Sequence, residues 1–194
     1  YGALLVIDEV MTGFRLSRGG ACERLHIEAD LVSLGKIVGG GLPLAAFGGR
    51  KEIMMHLSPV GSVYQAGTLS GNPLAVAAGQ ATLQILTEDF YSNLEKVAQK
   101  LEEGIRPFVE EKGYSFVRLG SMFTIFFRSH PPQNFAEVQE CDFELFGQFH
   151  RNALNEGIYY PPSQYEAVFL GSGMSEEDIQ LVIEGTRSAI EKLG

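Results

Sequence analysis

No stretch of this 194-residue sequence approaches the ~18 consecutive apolar residues that a membrane span requires. A surplus of positive charge is also missing. Lys and Arg number 15 against 24 Asp and Glu, for a formal net charge of -9, which argues against a nucleic-acid or anionic-membrane surface. Cysteine is scarce: Cys22 and Cys141 lie far apart, with no CxxC and no Cys/His ligand spacing. That excludes a disulfide framework and a zinc cluster, and both residues read as free thiols in a reducing compartment. His26, His56, His130 and His150 likewise show no ligand spacing, so they read as surface or helix-face residues and no metal site is expected. There is no initiating methionine, signal or transit segment: Tyr1 runs straight into GALLVIDEV, the pattern of a buried strand. A central strand needs partners already formed, so the chain is expected to be the C-terminal part of a longer protein. The expected location is cytoplasmic, with a plastid stroma as the second choice.

What is present is an ordinary globular composition, 45% hydrophobic and 20% charged, enough for one good-sized domain or a domain and a half. LLVI (4–7) and LVSLG (31–35) read as parallel strands buried on both faces, joined by a crossover of suitable length. LAAFGG (44–49) is a further strand candidate, and a short helix follows from Glu52 to Leu57. Asn72-Pro73 opens a helix running to about 86, with Asn as cap and Pro at the first helical position. The next helix, 88–111, carries Phe90, Leu94, Val97, Leu101, Ile105 and Phe108 at spacings of three and four. After Gly113 come two strand-like runs, YSFVRLGS and MFTIFFR, a polar loop at 129–134, and a helix over about 140–155. Short strands are expected near 158–160 and 167–170, then a last helix opened by Ser175 with Asp178 as a variant capping box. The organisation predicted is α/β for residues 1–88, a connecting helix at 89–111, and a smaller α+β domain at 112–194.

The chemistry concentrates in the first part. Asp8 ends the strand LLVID, and Lys36 interrupts LVSLGKIVGGGLP, ending the following strand in the same way. In an open parallel sheet ligands gather at the carboxyl ends of strands, so both side chains should converge on one crevice. A structural ion pair between them would be the plainer role, but a buried pair is weak evidence for stability alone. An acid and an amine facing one cavity suit pyridoxal phosphate. The lysine can join the aldehyde, with desolvation keeping part of its population neutral, and the aspartate can keep the ring nitrogen protonated. Val10 would pack on the ring, and the glycines at 39–41 would let the backbone pass close to the ligand. Glu9 invites another reading, since four apolar residues and Asp-Glu also occur in magnesium-holding strands of nucleotide hydrolases. Its partner loop GxxxxGK[ST] is absent here. A third motif, YQAGTLSGNP (64–73), leads small and hydroxylated residues into a capped helix, a chemistry suited to an anion.

Together DEVMTGFR, LGKIVGGGLPLAAFGGR, YQAGTLSGNPLA and PPSQYEAVFLG resemble the class III aminotransferase family of fold-type I pyridoxal-phosphate enzymes, and within it the aminomutase branch more than the transaminases. The resemblance implies part of a large, mostly parallel cofactor domain followed by a small α+β domain. It implies Lys36 as Schiff-base lysine and proton shuttle, Asp8 as pyridinium partner, and Val10 against the ring. Gly67 and Thr68 would reach the cofactor phosphate of a neighbouring subunit, making a homodimer the functional form, and Glu166 would lie near the substrate. The implied reaction moves an amino group within a small amino-aldehyde, converting glutamate 1-semialdehyde to 5-aminolevulinate for tetrapyrrole synthesis, with the cofactor cycling between pyridoxal and pyridoxamine phosphate. An omega-aminotransferase is the alternative. The family's main phosphate loop and gating loop would lie upstream of Tyr1, so these residues alone are expected to be inactive.

Overall fold

The computed structural model describes residues 1–193, which divide into two compact units, Tyr1–Tyr91 and Ser92 onward. The first unit is built on a three-stranded sheet, β1 (Val6–Asp8), β2 (Leu31–Leu34) and β3 (Ala46–Gly49), in that spatial order. β1 and β2 pair in parallel, with Asp8 opposite Ser33, and β3 returns antiparallel to β2. The crossover between β1 and β2 contains the short helix α1 (Gly20–Leu25). Asp30 ties the near ends together: its carboxylate accepts from the Leu5 amide at 2.7 Å and from the Arg50 guanidinium at 2.8 Å. These two donors, with the amide first, also hold the Asp30 carboxyl below its ordinary pKa.

The short helix α2 (Lys51–Met54) follows β3, and α3 (Pro73–Ile85) starts at Asn72. The Asn72 side chain accepts from the amides of Leu74 and Ala75, and Pro73 takes the first position, as the sequence predicts. α3 packs on the turn that follows β2. A Cβ on Gly79 would lie 2.1 Å from the Val38 carbonyl oxygen, and one on Gly40 would lie 2.4 Å from that of Ala78. Backbone meets backbone at this crossing, and only glycine permits it.

The helix α4 (Glu88–Glu111) matches the predicted range. Within the second unit its buried stripe is Leu94, Ala98, Leu101, Ile105 and Val109, spaced by four and three as one helix face requires. Val97 and Phe108, expected on that face, flank it half-exposed, and the small Ala98 and Val109 take the centre. A hairpin of β4 (Ser115–Leu119) and β5 (Met122–Phe126) is extended by β6 (Val168–Phe169), all antiparallel. The helix expected at 140–155 is α6 (Phe143–Asn155), capped by Asp142; a further short helix not foreseen in the sequence, α5 (Phe135–Gln139), precedes it and is capped by Asn134. The last helix, α7 (Glu176–Glu191), opens on the predicted box: Ser175 Oγ accepts from the Asp178 amide and Asp178 Oδ2 from the Ser175 amide.

One strand expectation is corrected. Residues 158–160 form no strand, because their polar groups are taken elsewhere. The Ile158 amide donates to the Ala153 carbonyl to close α6, the Tyr160 carbonyl accepts from His150 Nε2, and the buried Tyr160 hydroxyl pairs with Thr186. Burial pushes the Tyr160 hydroxyl pKa up to about 12. Among the described residues no helix is long and apolar enough to cross a membrane.

Candidate active site

The parallel pairing of β1 and β2 brings their carboxyl ends to one edge of the sheet. Asp8 stands at that edge, exposed, and its Oδ1 accepts from the Val10 amide at 2.9 Å and from the Ser33 hydroxyl at 3.1 Å. Both bonds fall on the same oxygen, and Oδ2 has no protein partner among the described residues. Val10 curls over the sheet end, where a Cβ added to Gly35 would meet Val10 Cγ1 at 3.1 Å. A larger residue at 35 would press on Val10 and displace the backbone next to Lys36.

Lys36 follows immediately, with φ of +51°, in the left-handed region that an L-residue occupies only under constraint. It opens a single 3-10 turn, Lys36–Gly39. The side chain is exposed, and no ion pair joins it to Asp8 among the described residues. Two expectations are therefore corrected. Lys36 stands just past the end of β2, as expected, but β2 stops at Leu34 rather than Gly35, and these residues do not supply the desolvation the sequence suggested. The glycines also have a different role. Gly39 and Gly40 are fixed by close packing, Gly39 against Leu44 and Gly40 against α3, and only Gly41 is open.

Beside this edge lies an open cavity of about 820 Å³, lined by Val10, Ser33, Leu34, Phe47, Gly67 and Ser70 among others. Neither Asp8 nor Lys36 lines it, although Asp8 is held by two residues that do. Gly67 belongs to an exposed turn in which the Ser70 amide donates to its carbonyl at 3.0 Å; Thr68 is exposed beside it. Glu166 belongs to the second unit. It is exposed on a turn where its amide donates to the Ser163 carbonyl and its own carbonyl accepts from the Thr124 hydroxyl.

Glu9 is 2% exposed, on the opposite side of the strand from its neighbours. Its carboxylate accepts from the Thr12 hydroxyl, the Ala21 amide at 2.9 Å and the Cys22 amide at 2.7 Å. Burial alone would raise its pKa, but these donors outweigh burial and hold it below the ordinary carboxylate value. A Cβ on Gly20, whose φ is +69°, would fall 2.4 Å from Glu9 Oε2. A carboxylate so fully committed is unavailable to magnesium, and the hydrolase reading loses its one supporting residue. Sequence reasoning missed both this anchor and Ser33. The only signal for Ser33 was a lone hydroxyl in an otherwise apolar strand.

Comparison with known proteins bears on what such a site belongs to. A glutamate-1-semialdehyde 2,1-aminomutase from Thermus thermophilus is 52% identical over 194 residues, covering 98% of this chain and 46% of the relative. An omega-transaminase from Sphaerobacter thermophilus superposes with a TM-score of 0.90 at 27% identity, covering 100% of this chain and 45% of that one. A glutamate-1-semialdehyde aminomutase variant from Pseudomonas aeruginosa, solved in complex with PMP, superposes with a TM-score of 0.85 at 27% identity, covering 99% and 45%. The chain thus spans under half the length of these relatives. Backbone likeness extends across mutase and transaminase alike, and the family profile for aminotransferase class III matches residues 1–183; the chain belongs to the class III aminotransferase family.

Proposed function

We propose that this chain is the lysine-bearing portion of a pyridoxal-phosphate-dependent aminomutase that converts glutamate 1-semialdehyde to 5-aminolevulinate. The observation that carries this reading is that Asp8 ends β1 and Lys36 follows the end of its parallel neighbour β2, with Asp8 Oδ2 and the Lys36 amine having no partner among the described residues. The donor set suits the cofactor: an acid for a ring nitrogen, an amine for an aldehyde, a branched apolar residue for a ring face, and an exposed turn at Gly67 and Thr68 for a phosphate. When bound, the cofactor would draw electrons from the substrate carbon and so make its proton removable.

The chain's residues do the rest. Asp8 Oδ2 would accept the ring N–H. Val10 restrains the ring from one side. Lys36 carries a proton on Nζ, removing it from one carbon and returning it to another, which requires the neutral amine for part of the cycle. Its exposure in this chain means that water must be excluded by other parts of the protein. Glu166 is assigned to the substrate side, through its carboxylate. The exposed turn from Gly67 to Gly71, with Tyr64, Leu69 and Leu74 exposed beside it, supports a second subunit covering this face, so that the working form is a homodimer in the cytoplasm.

An omega-aminotransferase is the second reading, favoured by the 0.90 superposition on an omega-transaminase. The higher identity to the Thermus mutase favours the first. In the full-length protein, aminolevulinate should form from the semialdehyde with no external amino acceptor. A requirement for such an acceptor would establish the transaminase instead. These residues taken alone are expected to bind pyridoxal phosphate weakly and to be inactive. Strong visible absorbance on adding the aldehyde to this chain, lost in Lys36→Ala, would overturn the weak-binding expectation while supporting the lysine.

A further inference from the structure

We propose that Ser33 is a positioning residue that fixes the Asp8 carboxylate so that one oxygen alone is presented to a ring nitrogen. This rests on the reading of Asp8 as the partner of a pyridinium N–H, and deepens it. A carboxylate on a strand end can rotate about its last bond and share a proton between either oxygen. Here two donors converge on Oδ1, the Val10 amide from the turn after β1 at 2.9 Å and the Ser33 hydroxyl from β2 at 3.1 Å. The Ser33 bond is made possible by register: parallel pairing sets Ser33 directly opposite Asp8. Oδ2 is left as the free acceptor. The backbone donor alone would still allow the plane of the carboxylate to turn, whereas two donors from different directions define it.

Ser33 also lines the cavity that Val10 and Gly67 line. Hydrogen bonds to charged groups are stronger than neutral ones, and this one acts on the group whose orientation decides whether the ring N–H is met.

The test compares two substitutions of nearly equal volume, Ser33→Thr and Ser33→Val, in the full-length protein carrying this segment. Each is titrated with pyridoxal 5'-phosphate and with its 1-deaza analogue, in which carbon replaces the ring nitrogen. The parent should bind the natural aldehyde more tightly than the analogue. Ser33→Val should lose about tenfold of that preference while binding the analogue as before, and Ser33→Thr should keep the preference to within about twofold. If Ser33→Val weakens both aldehydes equally, or neither, the residue is structural only and the proposal is overturned. Asp8→Ala separates the two levels: it should abolish the preference, and a preference surviving in it would remove Asp8 from the ring and the proposal with it.

Discussion

The two compact units solve different problems. In Ser92 onward the interior is closed: Phe116, Phe149, Leu101, Ile105 and Val109 are almost wholly buried, and ring contacts link Phe116 to Phe123, stacked, and Phe149 to Phe127 and Tyr160, tilted. In Tyr1–Tyr91 the most buried large side chain is not apolar at all but Glu9. There the buried hydrophobic residues are Leu16, Val38, Ala75 and Leu86, while Leu4, Leu5, Val6, Phe47, Val60, Val63, Tyr64, Leu69 and Leu74 are exposed. The unit that carries the candidate chemistry is held by hydrogen-bonded carboxylates and tight glycine packing, and the other is held by a hydrocarbon core. The exposed apolar residues of the first unit are not those assigned to the chemistry; they belong to a unit whose chain spans under half the length of its relatives.

The sharpest way to break this comparison is to remove a ring from the closed unit. Phe149→Ala should cost about 3–5 kcal/mol, because the cavity lies between Phe127 and Tyr160 and cannot collapse cheaply. Denaturant unfolding followed by tyrosine fluorescence would measure it. A truncation in the first unit, Leu74→Ala, should change stability by less than about 0.5 kcal/mol, since that side chain is already exposed. Equal losses at the two positions would mean that the units do not differ in the way described.

Glu9 gives the next largest effect. Glu9→Ala should destabilise the first unit by about 2–3 kcal/mol, since it orphans two amides and a hydroxyl in a buried place. Because the folded-state pKa of Glu9 is lowered from 4.5, its contribution is complete above that value. It is lost as acidification protonates the folded carboxyl. Amide exchange in α1 should therefore accelerate on acidification through that range, relative to a neutral-pH reference corrected for intrinsic exchange. The dependence should vanish in Glu9→Gln. Glu102 offers the counterpart in the closed unit. Burial opposes its ionisation, but Arg106 and Arg118 together lower its pKa, so its contribution runs in the same direction, and acid should loosen both units.

What the sequence disclosed follows from range. Helix α4 was legible to the residue because its apolar spacing and its ends are local, and so were the Asn72 cap and the Ser175 box. The segment at 158–160 was not, since Ile158 and Tyr160 alternate like a strand but spend their polar groups on α6 and Thr186, partners that only the folded chain supplies. At the site, Asp8, Val10 and Lys36 could be singled out from strand ends and chemical type. The role of Glu9 could not, because it depends on a helix start twelve residues away. Ser33 was hidden by register, which no single strand displays. Lys36 itself was placed in the sequence but misjudged in its surroundings: the apolar residues on either side suggested burial, and the left-handed turn carries it out of them.

That turn supplies the smallest expected effect and the finest test of the contrast between holding a fold and holding a reaction. A lysine at φ of +51° costs about 1 kcal/mol relative to a residue without Cβ. Lys36→Gly should recover part of this, offset by the greater freedom glycine has when unfolded, and leave the first unit no less stable than the parent. Thermal unfolding would show whether the transition is unchanged or raised. The same substitution removes the lysine that follows the strand paired with Asp8's strand, so attachment of pyridoxal phosphate at this position should disappear entirely. If Lys36→Gly instead destabilised the unit by more than about 1 kcal/mol, the lysine would be a structural member of the turn, and its strained backbone would have to be explained by packing rather than by chemistry.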